Sequence, residues 1–149
     1  MGNYANIVAG PATLAFNSVD LGFTKDGIRL RMEREYIDVP ADQVKGIVAK
    51  PKSIERFYVA TTLLECTLAN LEIAWDQASG SLGCNTSNEQ QLVIVGKAPS
   101  DVTRTFTLPR AVSHNNTEIN YGHENEASLE VEFECLKQNS GSFGSVVEA

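Results

Sequence analysis

The chain has 149 residues and a formal net charge of −7, with 42% hydrophobic and 21% charged residues. That length suits one domain with a real core, and no apolar run reaches the length of a membrane span. The charge is uneven, slightly basic over residues 1–56 and strongly acidic beyond, which argues against a surface that grips nucleic acid through clustered cations.

In chain order, residues 1–11 are small and polar, punctuated by Gly10-Pro11, and read as an arm. Thr13–Asn17 is a short strand, and Lys25-Asp26-Gly27 reads as a tight turn. From 28 to 36 the residues alternate. Ile28, Leu30 and Met32 face one way and Arg29, Arg31, Glu33 and Glu35 the other, the pattern of a half-buried antiparallel strand. Residues 38–53 form a long connection with Pro40, Gly46 and Pro51. It carries Lys45, Lys50 and Lys52 around an apolar centre of Val44, Ile47 and Val48. A connection of this length is uncommon unless it has a task, and a purely polar surface loop has no use for Ile47-Val48. It is therefore expected to dock on another copy of the chain.

Ile54–Leu64 reads as a strand. Thr67 can cap the helix that follows, in which Leu68, Leu71 and Trp75 form the core-facing stripe and Gly80 is the stop signal. Gln91–Val95, Thr103–Leu108 and Ser128–Leu136 supply three more strands. On the last, Leu129, Val131, Phe133 and Cys135 share one face, while Glu130, Glu132 and Glu134 share the other. Carboxylates spaced this way must face water. The Ser/Gly-rich residues 139–149 read as a second arm. The expected fold is a single, mainly β domain: an antiparallel sandwich or barrel with one flanking helix, a long inter-strand loop and two terminal arms.

Catalytic chemistry finds no foothold. There is no nucleophile elbow, no phosphate-cradling glycine loop, and no Cys/His pair with an orienting group. His114 and His123 share a polar loop without further ligands at metal spacing, so neither metal nor cofactor is expected. Cys66, Cys84 and Cys135 are an odd, widely spaced set, consistent with reduced thiols, and Cys66 and Cys135 read as small core residues. The Asn85 and Asn115 sequons count for little, because the first residues lack the basic start and apolar stretch of a secretory signal.

The wording of residues 12–76 is more specific than the composition. Leu21–Ile28 spells LGFTKDGI, Glu35–Val39 spells EYIDV, and Ala60–Leu71 spells ATTLLECTLANL. This order of turn, strand exit and strand-to-helix junction resembles the tail tube (major tail) proteins of long-tailed bacteriophages. The resemblance implies a structural virion protein, made in the host cytoplasm and carried in the tail, with no enzymatic activity and no membrane anchor. Such subunits assemble into rings, six-fold in the family, that stack into a tube through which DNA passes without specific binding. Tape-measure and tail-completion proteins are the further partners it implies. It also implies that the 38–53 loop projects to the next ring and that acidic strand faces line the channel. The candidates for that lining are Glu130, Glu132 and Glu134, with Glu33, Glu35, Arg29 and Arg31 beside them. The alternatives are a small β-barrel that carries an apolar ligand and a related tube or tail-completion component of a phage-derived particle.

Overall fold

The structure is a computed structural model that describes every residue except Met1, Ile7, Ala9, 78–81, 84–87, 115–117, 120 and 122–126. Gly80, Cys84, His123 and the two sequons thus lie outside the described residues. The strands are β1 (Thr13–Phe16), β2 (Val19–Asp20), β3 (Thr24–Tyr36), β4 (Val39–Ala41), β5 (Val44–Ala49), β6 (Lys52–Leu63), β7 (Gln90–Lys97), β8 (Thr103–Ser113), β9 (Leu129–Cys135) and β10 (Ser145–Glu148). Among the described residues one α-helix, α1 (Leu68–Ala74), follows β6.

The main sheet runs β2-β1-β7-β8-β9-β6-β3, entirely antiparallel, with β10 added to β8. It folds over on itself, so the β1–β7 side faces the β9–β6 side. Phe16 of β1 stacks on Phe133 of β9 with ring centroids 5.0 Å apart. Around that pair Leu14, Leu21, Val59, Leu63, Leu92, Ile94, Leu108, Leu129 and Val131 are buried. The fold is the expected mainly β sandwich with one helix on its flank.

Several boundaries differ from expectation for identifiable reasons. Lys25-Asp26-Gly27 is a bulge inside β3 rather than a turn: the register advances from Lys25↔Thr62 to Arg29↔Ala60. Positive φ at Asp26 (63°) and Gly27 (75°) absorbs the extra residues, and the Thr61 hydroxyl donates to the Gly27 carbonyl at 2.8 Å. β8 continues through Pro109, where a strand end was expected, because the proline falls at a register shift against β7. There the other edge of β8 changes partner, from β10 (104–107) to β9 (111–113). Within the residues read as a C-terminal arm, Ser145–Glu148 thus form a strand docked on β8.

Helix α1 starts at the expected cap, with Thr67 Oγ1 accepting from Asn70 N at 3.2 Å. It ends at Trp75, ahead of the expected stop, and Asp76 takes the left-handed conformation (φ 52°) that ends it. Its buried side is set by Asn70 and Ala74. At about 100° per residue Leu68 falls on the far side, and it is 62% exposed, not core-facing as expected. Leu71 and Trp75 pack against the core together with Ile73. Cys66, read as a core residue, is exposed because it lies in the 64–67 connection; Cys135 is buried.

Candidate functional site

The long β3–β6 ladder is the feature that sets the surface. It runs from Thr24↔Leu63 at one end to Tyr36↔Lys52 at the other, about 40 Å at ~3.3 Å per residue. The opposing layer covers only its first part. Beyond Ile28 the apolar face of β3 is open, with Leu30 36% and Met32 44% exposed, so the expected half-burial holds for only part of the strand.

The other face of the ladder is charged and continuous with β9. Arg29 pairs Ala60, which pairs Glu132; Arg31 pairs Tyr58, which pairs Glu134; Glu33 pairs Arg56. Residues opposite one another in an antiparallel sheet share a face, so the candidates Arg29, Arg31, Glu33, Glu130, Glu132 and Glu134 lie on one surface. Glu35, two residues on, lies there too. Arg31 organises it. Its guanidinium lies 4.6 Å from the Tyr58 ring centroid and bonds Glu33 and Glu132, each at 3.1 Å. His114 Nδ1 lies 3.5 Å from Glu134 Oε2, and its ring sits beside Tyr58. Burial beneath these groups, reinforced by Glu134 and Glu33, raises the Tyr58 phenol above its ordinary pKa. Arg56 reaches Glu35 at 3.8 Å. The surface is therefore a mixed lattice with an acidic excess, not a plain wall of carboxylates. Tyr58 and Arg56 went unread in the sequence; their even spacing opposite Arg31 and Glu33 becomes meaningful only once the register is known.

At the far end of the ladder the 38–53 segment is not a loop. It forms a two-stranded β4–β5 hairpin of its own, with Val39↔Ala49, Pro40↔Ile47 and Ala41↔Val44 paired. The register shifts between these pairs give room for Gly46 at φ 119°. The apolar residues expected in a docking loop, Val44, Ile47 and Val48, are each more than half exposed on β5. Lys45 lies among them, whereas Lys50 is tied to Asp38 at 3.4 Å at the hairpin base. Lys52 belongs elsewhere: with Lys137 and Arg34 it surrounds Glu55, at 2.8, 3.1 and 3.6 Å respectively. The hydrogen bonds from Lys52 and Lys137 hold that carboxyl down to about 2. Nothing in the sequence placed Lys137 beside Glu55.

No family model matches the chain, and no curated protein matches it. Solved structures do resemble it along its whole length. One is a chain from the tail of an empty GTA particle with C6 symmetry, 12% identical, with a TM-score of 0.52 and coverage of 100% of this chain and 99% of that one. Another is a chain from the six-fold symmetrised baseplate of the anti-feeding prophage, 12% identical, TM-score 0.53, covering 100% and 97%. At this identity the likeness is one of fold, and it extends over the entire chain.

Proposed function

We propose that this chain is a structural subunit of a phage tail or phage-derived particle, one that joins copies of itself into rings that stack as a tube. The observation that carries this is the β3–β6 ladder with its hairpin. Leu30, Met32, Tyr36, Ile37, Ile54 and the β5 residues are all exposed along one projecting arm. A soluble monomer seldom leaves this many apolar side chains uncovered on one arm, here on both faces of the ladder and on either side of the Arg34–Glu55 rung. Among the described residues the outer edge of β3 is likewise an unpaired strand edge in the sheet order. Six-fold particles containing chains of this fold support the same reading. Negative-stain microscopy of the purified chain, with sedimentation, tests it: rings or tubes are expected, and a monodisperse monomer at high concentration would exclude it.

Within that reading the charged β3–β6–β9 face lines the channel. An acidic excess repels phosphate, and the ion pairs through Arg31 hold the side chains against the sheet, where a passing polyanion finds few free cations. Replacing Glu130, Glu132 and Glu134 by Lys should leave tubes intact and slow DNA delivery; side chains found on the outer wall of an assembled tube would refute the assignment. A ligand-carrying barrel is disfavoured, because the Phe16–Phe133 stack occupies the centre of the sandwich.

A further inference from the structure

A second charged row crosses the ladder, on the face away from the Arg31 lattice. Arg34 of β3 pairs Glu55 of β6. The β6–β9 register sets Phe57 opposite Cys135, and continued past the end of β9 it brings Lys137 opposite Glu55. The contacts agree with that register. Lys137 Nζ lies 3.1 Å from Glu55 Oε2, while Lys52 Nζ and Arg34 Nε lie 2.8 and 3.6 Å from Oε1. Lys137 is fixed from two sides. Its carbonyl accepts from Arg110 Nη1 at 2.7 Å, and its ammonium stands 5.3 Å from the Phe143 ring centroid. Phe143 in turn leans on Phe57, the next residue along this face of β6.

Depth separates the signs. The Glu55 side chain is 18% exposed, whereas those of Arg34, Lys52 and Lys137 are 43%, 51% and 42% exposed. The carboxylate lies beneath and the cations stand around its open side. Three cations on one carboxylate leave a surplus of two positive charges, in a chain whose net charge is −7. Among the described residues no second carboxylate pairs with any of the three. Arg34 meets Glu55 through Nε, so that contact leaves its terminal nitrogens for a further oxyanion, which a guanidinium grips as a fork. A dianion matches the surplus, whereas one more carboxylate would neutralise half of it.

We propose that Arg34, Lys52 and Lys137 form a binding site for a phosphate-class dianion, which sits over Glu55 and ties β3, β6 and the segment after β9 together at the base of the hairpin. The site stands independently of the tube reading. Amide NMR during titration with inorganic phosphate tests it, at mildly alkaline pH, where phosphate is the dianion, and at constant ionic strength. Shifts around Arg34, Lys52, Glu55 and Lys137 should saturate with phosphate and stay small and linear with chloride. Lys52→Met and Lys137→Met should each weaken binding by about two- to fivefold, the worth of an exposed charge pair. Lys97→Met, the same loss of charge at the end of β7, should leave it unchanged. Glu55→Gln keeps the shape, raises the surplus to three and should tighten binding by a similar factor. Shifts in the wild type that do not saturate would overturn the site. So would equal losses from Lys97→Met and Lys137→Met, or a Glu55→Gln variant that binds no more tightly. A short single-stranded oligonucleotide that perturbs these residues where phosphate does not would also overturn it, in favour of a nucleic-acid contact.

Discussion

Asn70 shows how one polar side chain can hold a junction together. It is 4% exposed and its amide bridges two carbonyls, Leu21 from the β2–β3 connection and Glu65 from the β6–α1 connection. Asn70→Ala takes the donor from both acceptors, one buried and one half-buried, and should lower unfolding free energy by about 1–3 kcal/mol in denaturant titration. Nearby, Gly22 adopts φ 83°, and a Cβ there would lie 2.3 Å from the Glu65 carboxyl carbon. The LG pair in the sequence is thus explained by geometry that no periodicity could reveal. Glu55 gives a pH prediction. Its folded pKa of about 2 lies below the ordinary value of 4.5, so its contribution to stability is present above the unfolded pKa and disappears as pH falls through about 2. Carboxyl NMR titration should find Glu55 among the last carboxyls to protonate, and Lys52→Met should move it upward.

Among the elements, the β4–β5 hairpin is separate from the main sheet. Removing Val39–Ala49 joins Asp38 to Lys50, whose side chains already meet at 3.4 Å. The shortened chain should keep the thermal midpoint of the wild type and lose assembly; a collapsed midpoint would mean that the hairpin supports the core. β10 depends on a close approach instead. A Cβ on Gly144 would meet the Thr107 carbonyl oxygen at 2.0 Å, so Gly144→Ala should release β10, read as faster amide exchange at residues 145–148 while the core stays protected. The strands with strict alternation, β9 and the charged half of β3, were legible because period two survives in any sheet. β4, β5 and β10 were not, since each is short and is interrupted or flanked by Pro, Gly or Ser, which carry loop signals. Leu68 misled for another reason: three apolar residues at helical spacing outnumbered Asn70, the polar residue that defines the buried side.

For the whole molecule, the two described thiols report on different places. Burial, then Glu134, pushes the Cys135 thiol up to about 12, whereas Cys66 is exposed beside Leu68. In a Cys84→Ser background, a thiol reagent should modify Cys66 rapidly in unassembled protein and leave Cys135 untouched. Assembly that covers the 64–67 connection should slow labelling of Cys66. Equal rates in assembled and unassembled protein would place the contact elsewhere.

The charges on the β3–β6 ladder also serve as a check on alignment. In the native register Glu33 stands opposite Arg56 and Arg34 opposite Glu55. Sliding one strand by a single residue sets Glu33 against Glu55 in one direction, and Arg34 against Arg56 with Glu35 against Glu55 in the other. A slip of two residues in the first direction opposes Arg31 with Arg56. Each like-charged rung costs up to about 1 kcal/mol where an opposite pair would have gained a similar amount. Outside the sandwich no tightly packed core is left to specify the alignment, so a hairpin of this reach could pair out of step. Four alternating charges correct that error before the tip is placed. Exchanging Arg34 and Glu55 keeps the native rung opposite in sign but removes both penalties from the second one-residue slip. That double variant should show extra cross-strand NMR contacts from a shifted pairing while the sandwich itself is unchanged.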